Sequence, residues 1–282
     1  MMFATVYRST QGHFRKSVGP GHRVGGGLSH ANKSRTAKLA ERLFWEVTDH
    51  LKHTFPQYAH GRLPKELFRF KRKIHIIDST TIELVANCMD WAKHRRRKAA
   101  AKTHMRLDME SMLPRFAIVD TAKHNDNLRA RELCAGLQAG EVVIFDRAYN
   151  DFDHLDDLDQ RDVQWVGRQK KRTACEVIEG TETSGEILHV EIIVLNQGLI
   201  VRRITAWGVV DGKRRKMNFV TNNRQWSAQT ITNLYKARWQ IEVFFKQIKL
   251  TDFLGHSANA VRWQVWTALL VYVLLRVLSR MS

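Results

Sequence analysis

Cysteine is scarce in this sequence. Only three occur among the 282 residues, at Cys88, Cys134 and Cys175, and none belongs to a CxxC pair or to a run of nearby metal-ligating residues. Zinc fingers need closely spaced pairs of ligands, and small secreted folds need paired cysteines for their disulfides. The cysteine content therefore argues against both classes of protein.

Acidic residues are also few relative to basic ones. The chain has 28 Asp and Glu against 46 Lys and Arg, which gives a formal net charge of +18 and a pI near 10.2. So strong a positive charge attracts polyanions at long range, and nucleic acid is the expected partner. Short ribosomal or histone-like proteins share this charge, but 44% of this chain is hydrophobic. The chain can therefore bury a substantial core.

Several targeting and nucleotide-binding features are missing too. The sequence has no glycine-rich phosphate loop and no internal repeat, which argues against a nucleotide-driven motor. The N-terminus has no apolar stretch of signal-peptide type, so we expect a cytoplasmic protein. One apolar run, Val265–Leu278, is shorter than the roughly 20 residues that a membrane span needs, and it contains Arg276. We predict a buried core helix there and no membrane partner.

Composition and periodicity divide the chain into four parts. Residues 1–33 are rich in glycine and basic residues, which predicts a flexible basic arm. Residues 34–70 form an N-terminal helical segment, since apolar residues recur there at helical spacing. Residues 71–170 and 223–282 are predicted to form an α/β core. Residues 171–222 contain three strand-like runs joined by turns and are predicted to form an all-β insertion; the runs are Ile187–Leu195, Leu199–Val210 and Lys216–Thr221.

Two acidic residues end probable buried strands of the predicted core. Asp78 follows the run Lys73–Ile77, and Asp146 follows the run Glu141–Phe145. Short continuous apolar runs of this kind are typical of strands buried on both faces. Open α/β sheets bind their ligands at the C-terminal ends of such strands. Both carboxylates are therefore candidates for a functional site.

A later segment, predicted to be one helix from the N-cap Ser227 to about Leu250, carries four regularly spaced polar residues. Tyr235, Arg238, Glu242 and Lys249 follow one another at steps of three, four and seven, so a helix places them on one face. An acid flanked by basic residues is also the pattern of a surface ion-pair ladder, and spacing alone does not separate the two interpretations.

The three carboxylates Asp78, Asp146 and Glu242 have the chemistry of a two-metal phosphoryl-transfer site. Mg²⁺ prefers hard oxygen ligands, and two such ions flank a scissile phosphate in enzymes of this type. Arg238 and Lys249 would then neutralise phosphate charge. A basic run, residues 93–98, lies near the first acid together with Lys102 and His104. It is either a solvated loop or a phosphate-binding surface.

These motifs together resemble the DDE transposases of bacterial insertion sequences, in the insertion sequence four family. One branch of that family has a helix of pattern Y-x2-R-x3-E-x6-K, which residues 235–249 match without a gap. The segments Ile77–Ile82 and Phe145–Tyr149 also resemble the family's first and second acidic blocks. The resemblance implies an RNase H-like mixed-sheet core with flanking helices, and an all-β insertion between the second Asp and the catalytic Glu.

The resemblance also implies roles for single residues. Asp78, Asp146 and Glu242 would be the catalytic residues and would bind two Mg²⁺ ions, for which Mn²⁺ can substitute. Arg238 and Lys249 would hold phosphates of the transposon end, and Tyr235 would pack against or contact its 5′ end. Further expected DNA contacts come from Lys98, Lys102, His104, Arg147 and Trp239. A base flipped out of a hairpin end would stack on Trp165, Trp226 or Trp239, although a core position is the favoured interpretation for each of them.

The activity implied is cut-and-paste transposition, in which a nucleoid-associated homodimer holds two terminal inverted repeats and joins them to target DNA. Only 77 residues precede Asp78, which is fewer than the family usually has, so we expect a shortened N-terminal DNA-binding region. One alternative is therefore a truncated, catalytically silent remnant that occupies transposon ends and represses transposition. Another is a resolvase-like or repair nuclease, which would share the metal chemistry without joining DNA strands.

Overall fold

A computed structural model describes residues 34–59, 61, 63–84, 93–95, 98–121, 126–170, 173–195, 198–210, 212–248, 250 and 257–281. The predicted basic arm, residues 1–33, lies outside these ranges, as does Lys249. The strands are β1 (Ile74–Leu84), β2 (Lys93–Arg95), β3 (Lys98–Asp108), β4 (Pro114–Thr121), β5 (Val142–Phe145), β6 (Gln164–Arg168), β7 (Cys175–Glu182), β8 (Ile187–Leu195), β9 (Ile200–Val210) and β10 (Lys213–Thr221). The helices are α1 (Lys38–Thr54), α2 (Pro56–Ala59), α3 (Asp126–Cys134), α4 (Phe152–Gln160), α5 (Ala228–Ala237), α6 (Trp239–Ile248) and α7 (Ala258–Met281).

Within the described residues the strands form a single mixed sheet in the order β2-β3-β1-β5-β6-β10-β9-β8-β7, and β4 pairs with β3. β1, β3 and β4 form an antiparallel meander. β5 and β6 then add in parallel on the other side of β1. This order and these directions are those of an RNase H-like core, so the predicted fold class is confirmed.

The sheet has a separate apolar core on each face, because side chains alternate along its strands. On β1, Ile74 and Ile76 contribute to one core and Ile77 to the other. On β5 the alternation continues in the same way, with Ile144 in the first core and Phe145 in the second. Residues of α1, α5, α6 and α7 belong to the first core, and residues of α3 and α4 belong to the second.

The predicted all-β insertion continues this sheet. β10 pairs antiparallel with β6, and β9, β8 and β7 follow in antiparallel register. Three of the four strands were expected from apolar alternation. β7 was not expected because its apolar residues Val177 and Ile178 are adjacent and only Glu, Gly and Thr follow them, so it carries little of the period-two pattern of a half-buried strand.

Two predicted boundaries were wrong. The strand that leads to Asp78 does not end there, since β1 continues without a break to Leu84 and pairs with β3 from His75 to Leu84. The helix predicted from Ser227 to Leu250 is instead two helices, α5 and α6, separated by one turn residue, Arg238. The i to i+3 bonds from Arg238 N to Tyr235 O and from Ile241 N to Arg238 O tighten this point.

The last helix, α7, contains a stretch that by length and composition alone could cross a membrane, residues Ala258–Ser279. One side of it packs in the first core through Val261, Val265, Leu269 and Val273, which recur every four residues. Trp266 of α7 also lies against Phe44 of α1, with ring centroids 5.6 Å apart. Packing between helices therefore explains the apolar residues on this side of α7.

Candidate active site

Asp78 and Asp146 lie on the face of the sheet that α5 and α6 cover. Asp78 follows Ile74 and Ile76 at intervals of two along β1, and those residues lie in the core shared with α5 and α6. Asp146 directly follows β5, which is parallel to β1 and pairs with it up to the Ile77–Phe145 step. The two acids therefore sit side by side, where the carboxyl end of β5 meets the middle of β1.

The helical residues reach these acids from the opposite side. Ser227 caps α5, because its hydroxyl accepts a hydrogen bond from Thr230 N at 3.1 Å. From this start, Tyr235 lies in the last turn of α5, Arg238 is the turn residue, and Glu242 lies in the first turn of α6. Tyr235 contacts Asp146, Arg238 contacts Asp78, and Glu242 contacts Arg238. The predicted common face is therefore confirmed for these three residues.

Arg238 bridges two of the predicted catalytic acids. Its Nη1 donates to Asp78 Oδ2, and its Nη2 donates to Glu242 Oε1 at 2.6 Å. Burial lowers the pKa of Arg238, but the Asp78 charge, Tyr235 and the Glu242 hydrogen bond outweigh it, so the net shift is upward. Asp78 and Glu242 therefore face the same position, which a permanent cation occupies.

The neighbouring charges act on the carboxyl group of Asp78. Burial raises the pKa of Asp78 to about 6, against the opposing effects of Arg238 and of a hydrogen bond from Ser79 N at 2.8 Å. The charges of Asp146 and Glu242 raise it further. This is the behaviour of a carboxyl group that shares a site with other carboxylates, since their negative charges resist its ionisation.

Tyr235 holds the remaining acid. Its hydroxyl donates to Asp146 Oδ1 at 2.9 Å, and its ring packs against Phe219 with centroids 4.8 Å apart. Burial, together with the nearby Asp146 charge, raises the pKa of Tyr235, so this hydroxyl stays protonated and remains a donor. The tyrosine therefore fixes Asp146 from the helix side, as Arg238 fixes Asp78.

The donor atoms at this site suit a hard divalent cation, because all three acids offer carboxylate oxygens. Among the residues that the structure describes, no three His, Cys, Asp or Glu side chains are grouped closely enough to hold one ion. The Arg238 guanidinium accounts for this arrangement, since it lies between Asp78 and Glu242 and neutralises both. The carboxylate oxygens of the three acids therefore fit a metal ion. The position between Asp78 and Glu242 already holds the positive charge of Arg238.

The predicted tryptophans occupy three different environments. Trp165 is fully buried and stacks against Phe145 at a centroid distance of 6.2 Å. Trp226 is half-buried and meets Phe70 edge-on at 4.9 Å. Trp239, next to Arg238, is 54% exposed, with the Lys246 ammonium 5.0 Å from its ring centroid. Of the three, only Trp239 presents an open ring beside the candidate site.

The predicted DNA-binding residues are not all brought together. Arg147 is exposed and directly follows Asp146. Lys98 begins β3, and Lys249 lies outside the described residues. Lys102 and His104 lie on the other face of the sheet, where His104 is fully buried and Lys102 is paired with Asp126. A DNA contact by His104 does not fit this burial, and the other DNA assignments stay predictions.

Asp126 is a polar residue that the sequence reasoning missed. It is the first residue of α3, and it accepts hydrogen bonds from Ser79 Oγ and Lys102 Nζ, each at 2.9 Å. From sequence alone an acid at a helix start reads as an ordinary favourable charge near the helix dipole. The only signal in the sequence was that Ser79, which bonds Asp126, belongs to the same acidic block as Asp78.

The chain matches the family model of the transposase DDE domain over residues 69–274. It is 27% identical to a protein named as the probable transposase for insertion sequence element IS5377 of Geobacillus stearothermophilus, over 89% of this chain and 68% of that protein. It is 31% identical to a presumed transposase, y4zB, of Sinorhizobium fredii, over 79% of this chain and 65% of that protein. Among solved structures, the piggyBac transposase synaptic complex with hairpin DNA aligns with a TM-score of 0.42 and 6% identity, over 71% of this chain and 47% of that one.

The chain thus spans about two thirds of the length of these two relatives. The family match covers well over half of the chain and includes all three acids, Tyr235 and Arg238. The branch assigned from the spacing of residues 235–249 stays a prediction. The sequence motifs, the fold and the family match agree, and the chain belongs to the family of DDE-domain transposases.

Proposed function

We propose that this chain catalyses divalent-metal-dependent DNA cleavage at the ends of an insertion sequence and transfers those ends to target DNA, as in cut-and-paste transposition. The observation that carries the proposal is the convergence of Asp78, Asp146 and Glu242 on Tyr235 and Arg238. These five residues come from β1, the end of β5 and the α5–α6 junction, and a surface ion-pair ladder would not require the two strand residues.

Asp78, Asp146 and Glu242 would hold the Mg²⁺ ions, for which Mn²⁺ can substitute. When bound, such ions supply activation of the attacking water or 3′-hydroxyl and stabilisation of the leaving oxygen in an in-line displacement. The protein's own contribution is to hold the carboxylates in place. Tyr235 does so for Asp146 through its hydroxyl, and Ser79 does so for Asp78 through its backbone N–H.

Arg238 supplies a positive charge at the position where phosphate charge would develop. Its planar guanidinium offers parallel donors, which match a phosphate as well as they match two carboxylates. Trp239, the next residue, would stack on an unpaired base near the cleaved end. Lys249 would add a further phosphate contact.

The proposed partners are double-stranded terminal repeats and target DNA. A formal charge of +18 supports binding to the phosphate backbone, and that binding should weaken steeply with salt. A homodimer is proposed because two element ends must be held together for coupled strand transfer. The cytoplasm, in association with the nucleoid, remains the proposed location.

A gel assay tests the proposal directly. The purified chain is incubated with Mg²⁺, a labelled fragment that carries the element's own ends, and a target plasmid. We expect cleaved and joined products from the wild type, and none from Asp146→Asn, with DNA affinity retained because the lost charge is negative. Asp153→Asn, which removes an exposed carboxylate on α4, is the matched control and should keep activity.

The outcomes separate the alternatives. Cleavage without joined product would support a nuclease instead of a transposase. DNA binding without cleavage by the wild type would support the silent-remnant alternative, which the comparisons do not favour. Cleavage by Asp146→Asn at the wild-type rate would remove that residue from the mechanism.

A further inference from the structure

A cluster of buried polar side chains lies directly behind the candidate active site. Ser79 follows Asp78 on β1, so its side chain points to the opposite face of the sheet. There its Oγ donates to Asp126 Oδ1 at 2.9 Å. In the antiparallel register Ser79 lies opposite His104 of β3, and Thr81 lies opposite Lys102. β1, β3 and the start of α3 thus meet at one carboxylate.

Asp126 is the centre of this cluster. Lys102 Nζ lies 2.8 Å and His104 Nδ1 lies 3.3 Å from its Oδ1. The Tyr149 hydroxyl is 3.5 Å from His104 Nδ1. His104 is fully buried, and the Asp126 side chain is only 15% exposed. His104, Lys102 and Ser79 hold the pKa of Asp126 below its usual range even though burial acts to raise it.

The cluster reaches both strand acids of the candidate site through single steps. Ser79, which bonds Asp126 with its hydroxyl, also donates its backbone N–H to Asp78 Oδ1 at 2.8 Å. Tyr149 closes the turn that follows Asp146, with its backbone N 3.0 Å from Asp146 O. A shift of Asp126 would therefore be transmitted to the orientation of Asp78 through Ser79, and toward Asp146 through His104 and Tyr149.

A helix start alone does not account for this arrangement. An acid in the first turn of a helix gains from the helix dipole while it stays in water. Asp126 is instead largely buried, where an ion pair gains little net stability because both partners lose their hydration. A buried charge that bonds three groups on two other strands is better explained by the geometry that it imposes on its neighbours.

We propose that Asp126 is a positioning residue of the active site, which fixes Ser79 and thereby the carboxylate of Asp78 for metal-dependent strand cleavage and transfer. It does not touch DNA or the reacting atoms. The inference rests on the proposed function for the reaction that it serves. It also assigns Lys102 and His104 to this internal network, where they act as partners of Asp126.

The test compares Asp126→Asn with a matched control, Asp120→Asn. Asp120 lies on β4, pairs with Arg129, and its side chain is also 15% exposed, so its substitution removes a similar charge and ion pair. Three quantities are measured for each folded variant: the cleavage rate at saturating DNA, the Kd for the DNA end, and the Kd for Mn²⁺ alone by electron paramagnetic resonance.

For Asp126→Asn we expect the cleavage rate to fall and the Mn²⁺ Kd to rise by about 10- to 100-fold, as for other residues that orient metal ligands, with the DNA Kd unchanged. Asp120→Asn should match the wild type in all three. Ser79→Ala removes only the hydroxyl link, so it should lower the rate in the same direction and serves if Asp126→Asn does not fold.

Other outcomes overturn the inference. Equal losses in the Asp126 and Asp120 variants would indicate a general loss of stability, and a rise in the DNA Kd alone would place Asp126 in DNA binding. If the wild type binds Mn²⁺ but does not cleave, the proposed function fails while the ratio of Mn²⁺ affinities still decides the role of Asp126. A wild type that neither binds Mn²⁺ nor cleaves DNA contradicts both.

Discussion

Arg238 and Asp78 are 160 positions apart in the sequence, yet the guanidinium of one donates a hydrogen bond to the carboxylate of the other. The same guanidinium also bonds Glu242 at 2.6 Å, and all three side chains are largely buried. One permanent cation thus neutralises two acids that would otherwise repel each other. Any divalent cation that binds between these acids must compete with Arg238.

Arg238→Ala should therefore destabilise the protein and make its stability sensitive to metal. Loss of one partner leaves two buried carboxylates without a counterion, which costs about 3 kcal/mol by analogy with other buried pairs. Added Mn²⁺ should recover much of this loss in urea denaturation, because a ligand that binds only the folded state stabilises it. A variant as stable as the wild type, or one that Mn²⁺ does not stabilise, would contradict this interpretation of the bridge.

Arg203→Ala is the control for that experiment. Arg203 is buried to a similar extent and bonds Glu191 through two nitrogens at 2.8 and 3.0 Å, but it lies on β9 within the insertion. Its removal should also lower the free energy of unfolding. Mn²⁺ should restore none of that loss, because Glu191 does not lie beside Asp78, Asp146 or Glu242.

Tyr235→Phe should lower the cleavage rate and cost about 1.5 to 3 kcal/mol of stability, the range for a hydrogen bond to a charged group. The ring would keep its contact with Phe219, so only the bond to Asp146 is lost. Tyr272→Phe is the comparison, since its hydroxyl donates to the uncharged carbonyl of Met112 at 3.2 Å. Equal effects of the two substitutions on the cleavage rate would show that the Asp146 bond has no special role.

The acids and their helical partners could be predicted from sequence because local pattern fixes their positions. Buried apolar runs end at Asp78 and Asp146, and a helical period places Tyr235, Arg238 and Glu242 on one face. What the pattern could not give is which side chains meet across the sheet. Arg238 was expected to contact phosphate, and its bridge between two acids depends on tertiary distances that a one-dimensional spacing does not contain.

The packing of Lys102 and His104 and the continuation of β1 have a common physical cause. Lys102 and His104 were predicted, beside the basic run of residues 93–98, to contact DNA, because charged residues usually lie at the surface. Their burial depends on Asp126, which is more than twenty positions away and supplies the compensating charge. The continuation of β1 past Asp78 was missed for a similar reason, since polar residues there are held in the strand by pairing with β3.

The pH dependence of stability should carry a signature of His154. Burial lowers its pKa from 6.5 to about 4, so as pH falls the unfolded chain takes up this proton before the folded protein does. Stability should therefore decrease as pH falls from about 6.5 to 4, by about 3 kcal/mol for this residue. His154→Leu should remove that part of the slope, as measured by urea denaturation at pH 7 and pH 5.

Two comparisons sharpen that measurement. His75 is also buried, which lowers its pKa to about 4, so the His154 variant should retain a smaller slope of the same sign. His50→Gln, on the exposed side of α1, is the matched substitution of a histidine at the surface. The assignment fails if the slope of the His154 variant equals that of the wild type.

Arg147 offers a test of where DNA lies relative to the acids. It is exposed and directly follows Asp146, so a phosphate bound near that carboxylate would be within reach of its guanidinium. Arg147→Ala should weaken binding to the element's end and reduce the slope of log K against log salt by about 0.9, the value for one phosphate contact. Arg42→Ala, which removes an exposed arginine of α1 that is paired with Glu46, should leave the slope unchanged. Each phosphate contact releases condensed counterions on binding, so the loss of a contact must reduce the slope. A full wild-type slope for Arg147→Ala would therefore place the DNA backbone away from the end of β5.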